Sequence, residues 1–169
     1  MRMSRQPFLR VSALAVPAVL CVLFSFLSLA GAAAGRGPLL SETSPPVNLT
    51  HIFEGEINRK GRPVGFHARP AGRNPSRARL VRVLDGPNRQ GVYTAEVEIR
   101  AQDGRWLEKR STFYPDRLNR QDVLRAILNA YRQRTTGSSE KFRGPSGLGF
   151  TIEGWYQNGR INTAYPIFR

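Results

Sequence analysis

Short segments of alternating apolar and polar residues, separated by turn residues, constrain the fold of this chain more than any other feature. Three of them lie between residues 78 and 115, ARLVRVLD, GVYTAEVEIR and RWLEKRSTFYP, and each predicts a β-strand. The last two are joined by Ala-Gln-Asp-Gly, where the Asp-Gly pair favours the positive φ of a hairpin turn. Two further alternating runs flank Asn158-Gly159, a strong hairpin signature. The sequence therefore predicts antiparallel sheet.

One segment has the periodicity of an α-helix. In NRQDVLRAILNAYRQR, residues 119–134, apolar side chains recur three and four positions apart, with Asn119 placed to cap the first turn and Asp122 inside it. One helix packed on an antiparallel sheet predicts a small α+β domain. The glycine-rich GPSGLGF at residues 144–150 matches neither the nucleophile-elbow nor the P-loop pattern, so we expect a turn that leads into a strand.

A single folded domain is expected over residues 51–169, because about 120 residues suffice for one compact core and not for two. Residues 35–50 are rich in Pro, Ser and Gly without an apolar period, which predicts an exposed linker. Residues 51–68 alternate loosely around three glycines. They predict either two short strands or the end of a helix followed by a hairpin.

The first 34 residues are typical of an export segment. Three arginines precede the apolar run VSALAVPAVLCVLFSFLSLA, and small residues at 30–34 offer sites for a signal peptidase. A run of about twenty apolar residues is also long enough to span a bilayer, so an uncleaved membrane anchor over residues 11–30 is the alternative. Both alternatives predict a protein that is secreted or held at the cell envelope.

Beyond residue 34 the chain has no cysteine, because its only one, Cys21, lies in the apolar run. Disulfides, thiolate metal sites and a cysteine nucleophile are thereby excluded there. The formal net charge is +14, and since three arginines belong to the leader, the rest of the chain carries +11. Such a surface attracts polyanions, so nucleic acid or an anionic membrane is the expected partner. An arginine-rich composition without functional meaning is the alternative.

The two histidines of the chain, His51 and His67, lie in one segment, with Glu54 and Glu56 as the nearest carboxylates. A zinc site usually needs three protein ligands, and no HExxH or carboxylate-rich loop is present. We therefore predict no metal and no other cofactor. Two imidazoles suit general acid–base catalysis, because each is available in both protonation forms near neutral pH.

Such a pair of groups favours RNA as the substrate. Attack of a 2′-hydroxyl on the adjacent phosphate needs a base, an acid for the departing 5′-oxygen and a cation near the phosphorane, but no metal. DNA lacks that internal nucleophile. The alternative is that the two histidines are ordinary structural residues.

From His51 onward the sequence resembles the bacterial EndoU nuclease domain. HIFEGEINRKGRPVGFHARP resembles the two-histidine segment of that family. GVYTAEVEI, EKRSTFYPD and VLRAILNAY resemble its central block, and GPSGLGFTIEGWYQNGRINTAYPI resembles its closing hairpin. The resemblance implies a small α+β fold of the barnase–EndoU–colicin–RelE type.

The resemblance also implies a role for each site residue. His67 would be the general base on the 2′-hydroxyl, His51 the general acid to the leaving oxygen, and Lys109 the cation that stabilises the phosphorane. Tyr165 would stack on the ribose or base. The candidate substrate-binding residues are Thr163, Tyr165, Ser111 and Thr112.

Alternatives remain open for several residues. Lys141 is the competing cation to Lys109, and Tyr165 could instead pack in the core under the final strand. Five arginines form a basic run that either grips RNA phosphates or is a solvated loop: Arg69, Arg73, Arg77, Arg79 and Arg82. Four aromatic residues that alternate with polar neighbours are predicted to be core: Trp106, Phe113, Phe150 and Trp155.

Together these features predict an exported, metal-independent endoribonuclease that leaves a 2′,3′-cyclic phosphate and a 5′-hydroxyl. The resemblance further implies a bacterial toxin that acts on RNA, with tRNA as a candidate substrate and a cognate immunity protein as a partner. The competing prediction is a non-catalytic basic protein of the envelope that binds nucleic acid or anionic lipid. A metal-dependent DNase is the second alternative.

Overall fold

The computed structural model describes residues 37–136 and 140–169. Two short helical turns lie at Thr50–Glu54, of the π type, and at Pro70–Gly72, of the 3₁₀ type; the α-helix is α1 (Arg120–Arg132). The strands are β1 (Glu56–Ile57), β2 (Pro63–Val64), β3 (Ala78–Asp85), β4 (Tyr93–Arg100), β5 (Trp106–Phe113), β6 (Thr135–Thr136), β7 (Lys141–Pro145), β8 (Thr151–Gln157) and β9 (Arg160–Pro166). The predicted α+β class is confirmed.

Within the described residues the strands form three antiparallel sheets, ordered β1-β2, β3-β4-β5 and β6-β7-β8-β9. Both predicted hairpins are present. Gly104 takes the positive φ, 87°, in the turn between β4 and β5. Asn158 and Gly159 take φ values of 53° and 74° between β8 and β9, as a type I′ turn requires. For residues 51–68 the second alternative is correct, a helical turn followed by the β1-β2 hairpin.

The helix α1 begins where the sequence predicts. The side chain of Asn119 accepts a hydrogen bond from the backbone N–H of Asp122, and the Asp122 carboxylate accepts one from the N–H of Asn119, a reciprocal capping box. One face of the helix is buried against the third sheet, mainly at β7. The buried residues of the helix are Val123, Ala126, Ile127 and Ala130.

Two separate apolar clusters stabilise the fold. The larger one joins α1 to the β6-β7-β8-β9 sheet and includes Tyr114, and the smaller one lies behind β3-β4-β5 and includes Phe113. The segment 66–68 joins the two clusters, because Phe66 is buried in the smaller and Ala68 in the larger. His67 lies between them in sequence, so its backbone is fixed on both sides.

The structure differs from the predicted linker over residues 35–50. Val47 is fully buried in the larger cluster and forms a parallel bridge with Ile161, and Leu40 bridges Asn48. The segment is anchored mainly through one apolar residue and backbone hydrogen bonds, and therefore shows no apolar period. For this reason composition alone places the start of the folded domain too late, at His51. The predicted leader lies outside the described residues. Among those described, no helix is both long and apolar enough to cross a bilayer.

Candidate active site

The two histidines meet in space. Their ring centroids are 5.9 Å apart with an interplanar angle of 34°. His51 lies on the π-helical turn, and His67 on the segment that follows β2. Backbone hydrogen bonds clamp these two segments together, from Phe66 N–H to the His51 carbonyl (2.7 Å) and from His67 N–H to the Ile52 carbonyl (2.8 Å).

The clamp requires glycine at position 65. Gly65 has φ 75°, and a Cβ there would lie 2.3 Å from the His51 carbonyl oxygen. Phe66 follows with φ 60°, so two successive left-handed residues turn the chain toward His67. A side chain at position 65 would therefore push against the backbone that carries His51.

Hydrogen bonding determines which nitrogen of His67 carries its proton. The Nδ1 atom is 3.0 Å from the Thr112 carbonyl and 3.0 Å from Ser111 Oγ. A carbonyl only accepts, and Ser111 donates its own hydrogen to the Phe66 carbonyl at 2.7 Å, so Nδ1 is the protonated nitrogen. In the neutral ring Nε2 then holds the lone pair.

The surroundings of His67 keep that ring neutral. Burial lowers the pKa of His67 well below its usual 6.5, and the charges of Lys109 and His51 lower it further, while the hydrogen bond to Thr112 acts in the opposite direction. The residue is only 8% exposed. His67 is thus an unprotonated acceptor at neutral pH.

His51 has a different partner. Its Nδ1 lies 2.9 Å from Glu56 Oε1, and its backbone N–H donates to Asn48 Oδ1 at 3.1 Å. Since a carboxylate accepts, Nδ1 of His51 carries a hydrogen. In the imidazolium form the pair is an ion pair, and Nε2–H is then a donor for a substrate atom.

Lys109 is the cation that the fold brings to the histidines. Its Nζ donates to the Gly65 carbonyl at 2.8 Å and to Ser111 Oγ at 3.2 Å. Burial lowers the pKa of Lys109 to about 8. The competing cation, Lys141, instead pairs with Glu153 at 3.0 Å and lies 4.9 Å from the centroid of the Trp155 ring.

Tyr165 lies beside His67 and not beneath the sheet. Its ring centroid is 5.2 Å from that of His67 and 6.1 Å from that of Trp155. The hydroxyl donates to Glu153 Oε1 at 2.7 Å, and burial together with this carboxylate raises the pKa of Tyr165. Burial disfavours the charge on Glu153, but hydrogen bonds from Tyr165, Lys141 and Arg143 outweigh it and lower its pKa. Tyr165 is therefore anchored at its polar end with the ring against the imidazole.

A cleft of about 350 Å³ opens next to these rings. Its lining residues are His67, Leu84, Asp85, Thr94, Arg110, Ser111, Thr112 and Tyr165. The volume lies within the range of small-ligand pockets. Thr163 is not part of this lining; it precedes Tyr165 by two residues on the same face of β9 and pairs with Trp155 of β8.

Ser111 and Thr112 both line the cleft, and each also holds other groups of the site. The Ser111 hydroxyl is buried and committed to the Phe66 carbonyl, Lys109 and His67, so it positions those groups. Thr112 holds His67 through its backbone carbonyl, and Thr112 also lines the cleft.

The basic run is largely fixed to the sheet. Arg69, Arg79 and Arg82 pair with Asp116, Glu98 and Glu96, respectively. Arg77 donates to the Arg100 carbonyl at 3.3 Å. None of the five arginines lines the cleft beside His67. Arg79 and Arg82 remain exposed while paired, with side chains 51% and 67% accessible.

Two of the four predicted core aromatics are core residues. Phe113 and Phe150 are buried, whereas Trp106 and Trp155 are half-buried and lie under cations, with the Arg79 guanidinium 4.4 Å from the Trp106 ring. Across the described ranges, no three side chains of the His, Cys, Asp and Glu types come together as a metal-ligand set.

Comparison with known proteins identifies the family. The family model for the bacterial EndoU nuclease matches residues 47–168. The chain belongs to the bacterial EndoU nuclease family. The matched region is therefore a nuclease domain of that family. A Bacillus cereus protein named Toxin is 30% identical over 131 residues, which cover 75% of this chain and 23% of that protein. No solved structure matches the chain significantly.

Three residues of this EndoU site were missed from the sequence as positioning groups. Glu56 orients His51, Ser111 joins Lys109 to His67, and Glu153 anchors Tyr165. For Ser111 the available signal was its i, i+2 spacing from Lys109 on one strand. The roles of Glu56 and Glu153 depend on loop geometry and on strand pairing, which the sequence alone does not encode.

Proposed function

We propose that this protein is an exported bacterial toxin that cleaves RNA without a metal ion. The cleavage is a transesterification that leaves a 2′,3′-cyclic phosphate and a 5′-hydroxyl. The observation that carries the proposal is the pair of imidazoles 5.9 Å apart, one neutral and one paired with a carboxylate, beside a buried ammonium group.

His67 is the general base in this reaction. Its Nδ1–H is held by Thr112, so Nε2 accepts the proton of the 2′-hydroxyl as that oxygen attacks phosphorus. The lowered pKa keeps the acceptor form populated at neutral pH.

His51 and Lys109 act on the other side of the phosphate. The Nε2–H of His51 donates its proton to the departing 5′-oxygen, while Glu56 supports the charge on the ring before transfer. Two of the three Lys109 N–H bonds go to Gly65 and Ser111 within the described residues, and the third is directed to the phosphorane oxygens. The bond to the 5′-oxygen breaks as the cyclic phosphate forms.

The substrate is RNA, with tRNA as the first candidate. The +11 charge beyond the leader favours polyanion capture, and Tyr165 offers a stacking face at the cleft. The name of the Bacillus cereus relative supports the toxin role. A producing cell then needs an immunity protein, with an acidic surface that covers the cleft.

The proposed arrangement of the chain follows its sequence. Residues 1–34 direct export and are then removed or retained as an anchor, which leaves the nuclease secreted or at the envelope. The folded nuclease follows directly.

The test is incubation of the purified protein with bulk tRNA in EDTA, with chemical analysis of the new 3′ ends. We expect cyclic-phosphate ends from the wild type and intact tRNA from His67→Ala. Lys60→Ala, which removes an exposed positive charge from the same segment, is the matched control and should cleave normally.

Two results would overturn the proposal. Activity that disappears with EDTA and returns with a divalent ion would indicate a metal-dependent nuclease. Intact RNA with the folded wild type, together with RNA binding that survives His51→Ala and His67→Ala, would favour the basic binding protein.

A further inference from the structure

A row of aromatic and charged side chains crosses one face of the β6-β7-β8-β9 sheet and begins at the histidines. Tyr165 of β9 pairs with Glu153 of β8, and Glu153 pairs with Arg143 of β7, so the three residues share one face. The ring of Tyr165 lies 5.2 Å from that of His67. Adjacent strands lie about 4.8 Å apart, which places β7 about 10 Å from β9. The row therefore leads from the candidate active site to a cation on a different strand.

Glu153 is the centre of this row. Its Oε1 accepts from the Tyr165 hydroxyl at 2.7 Å and pairs with Lys141 Nζ at 3.0 Å, and its Oε2 accepts from the Nε–H of Arg143. The side chain of Glu153 is only 7% exposed, whereas those of Lys141 and Arg143 are 42% and 56% exposed. A phosphate that approaches from solvent therefore meets the two cations, while the carboxylate is buried and engaged by them.

Arg143 keeps the part of its side chain that suits a phosphate. A guanidinium has five N–H donors, and Glu153 engages the one at Nε. The two terminal nitrogens form the planar fork that binds phosphate through two parallel hydrogen bonds. The ion pair with Glu153 also restrains the guanidinium before a ligand arrives, which reduces the entropy lost on binding. Glu140, the carboxylate next to Lys141 in sequence, accepts a hydrogen bond from Gln157 at 2.6 Å.

We propose that Arg143, with Lys141 beside it, binds a backbone phosphate of the RNA that flanks the scissile one, and that Glu153 orients the guanidinium for this contact. In the proposed reaction the scissile phosphate lies at the histidines and Lys109, so the phosphate at Arg143 is a different one on the same strand. Because Glu153 also anchors Tyr165, one carboxylate sets the spacing between the stacked nucleotide and the bound phosphate. This inference rests on the proposed function and adds a second phosphate site for the same substrate.

The salt dependence of binding tests the contact without cleavage. The probe is a single-stranded oligonucleotide with 2′-fluoro sugars, which has no nucleophile. On a single strand each phosphate contact contributes about 0.7 to the slope of log Kd against log salt concentration, so Arg143→Gln should lower that slope by about 0.7.

Arg125→Gln is the matched control for the loss of one positive charge. The side chain of Arg125 is 69% exposed, and it lies on α1. That helix packs with Ile152 and Ala164, which immediately precede Glu153 and Tyr165 and therefore face the other side of the sheet. The slope for Arg125→Gln should equal that of the wild type.

Cleavage locates the bound phosphate along the strand. Each substrate is a DNA strand with one ribonucleotide, which defines the scissile bond, and one flanking phosphate at a time is replaced by a neutral methylphosphonate. We expect one of these replacements to lower kcat/KM about five- to tenfold in the wild type. The same replacement should have little further effect in Arg143→Gln, because the contact is already lost.

The outcomes separate this inference from the proposed function. An unchanged salt slope in Arg143→Gln, or replacements that cost the same in this variant and in the wild type, overturns the phosphate site and assigns the cations to the fold or to a protein partner. A loss common to all substrates with an unchanged slope shows that Arg143 acts only through Tyr165, which also overturns it. If the slopes differ as expected but the wild type cleaves no ribonucleotide substrate, the proposed function fails and the phosphate site stands.

Discussion

Replacement of Gly65 by alanine tests whether the contact between the two histidine segments determines both stability and catalysis. The new Cβ would lie 2.3 Å from the His51 carbonyl oxygen, a backbone atom that cannot rotate away. Gly61→Ala is a matched control, because Gly61 has nearly the same φ, 72° against 75°, and nothing within 4 Å of its Cβ position.

The expected magnitudes follow from these two geometries. A left-handed conformation costs an alanine about 1–2 kcal/mol, and both variants incur this cost. Only Gly65→Ala adds the overlap of the new Cβ with the His51 carbonyl oxygen. Such an overlap destabilises a protein by about 1–3 kcal/mol when a packed region must shift to accept a methyl group. The free energy of unfolding should therefore fall by about 1–2 kcal/mol in Gly61→Ala and by about 2–5 kcal/mol in Gly65→Ala.

Catalysis should respond more selectively than stability. The Gly65 carbonyl holds Lys109, and the neighbouring Phe66 N–H holds the His51 carbonyl, so relief of the overlap moves both groups. A displacement near 1 Å lowers a rate about 10²-fold. Urea unfolding and tRNA cleavage measured where both variants are folded provide the comparison. Equal unfolding free energies for the two variants, or a wild-type cleavage rate in Gly65→Ala, would refute the reasoning.

Three further predictions concern individual groups of the site. Because the pKa of His67 lies below 6.5 in the folded state, the unfolded chain binds the proton first, so the free energy of unfolding should fall as pH drops from 6.5 toward that lowered pKa. Urea titrations at several pH values should show a flatter dependence for His67→Gln, and an unchanged slope would contradict the buried neutral ring. Since the pKa of Lys109 is about 8, kcat/KM should decline above that pH as the ammonium is lost, and Lys109→Arg should move the decline upward. A pH profile that is flat to pH 10 would remove Lys109 from its role. Tyr165→Ala should raise KM about 5- to 100-fold through lost stacking, while Tyr165→Phe, which keeps the ring, should change it far less; similar KM values for the two variants would exclude stacking.

Local signals predicted the regular elements well because those elements depend on neighbouring residues. The strand β3 coincides with the alternating run at 78–85, and Asn119 caps α1 as its side chain and spacing require. The closing hairpin follows from the conformations that Asn158 and Gly159 tolerate.

The site was predicted only in part, since several of its contacts join residues far apart in sequence. The pairing of Ser111 with His67 spans 44 positions, and no local pattern encodes it. Val47 was assigned to a linker because one buried apolar residue among prolines and serines leaves no periodicity. Tyr165 required knowledge of which face of β9 turns toward His67.

The position of His67 between the two apolar clusters links activity to completion of the fold. Phe66 and Phe113 belong to one cluster, while Ala68 and Tyr114 belong to the other. His67 and the strand that carries Lys109 therefore take their final places only when both clusters have formed. A chain that is still unfolded contains every residue of the candidate site and no assembled site. For the exported toxin that we propose, the RNA of the producing cell therefore meets no assembled site while the chain is unfolded.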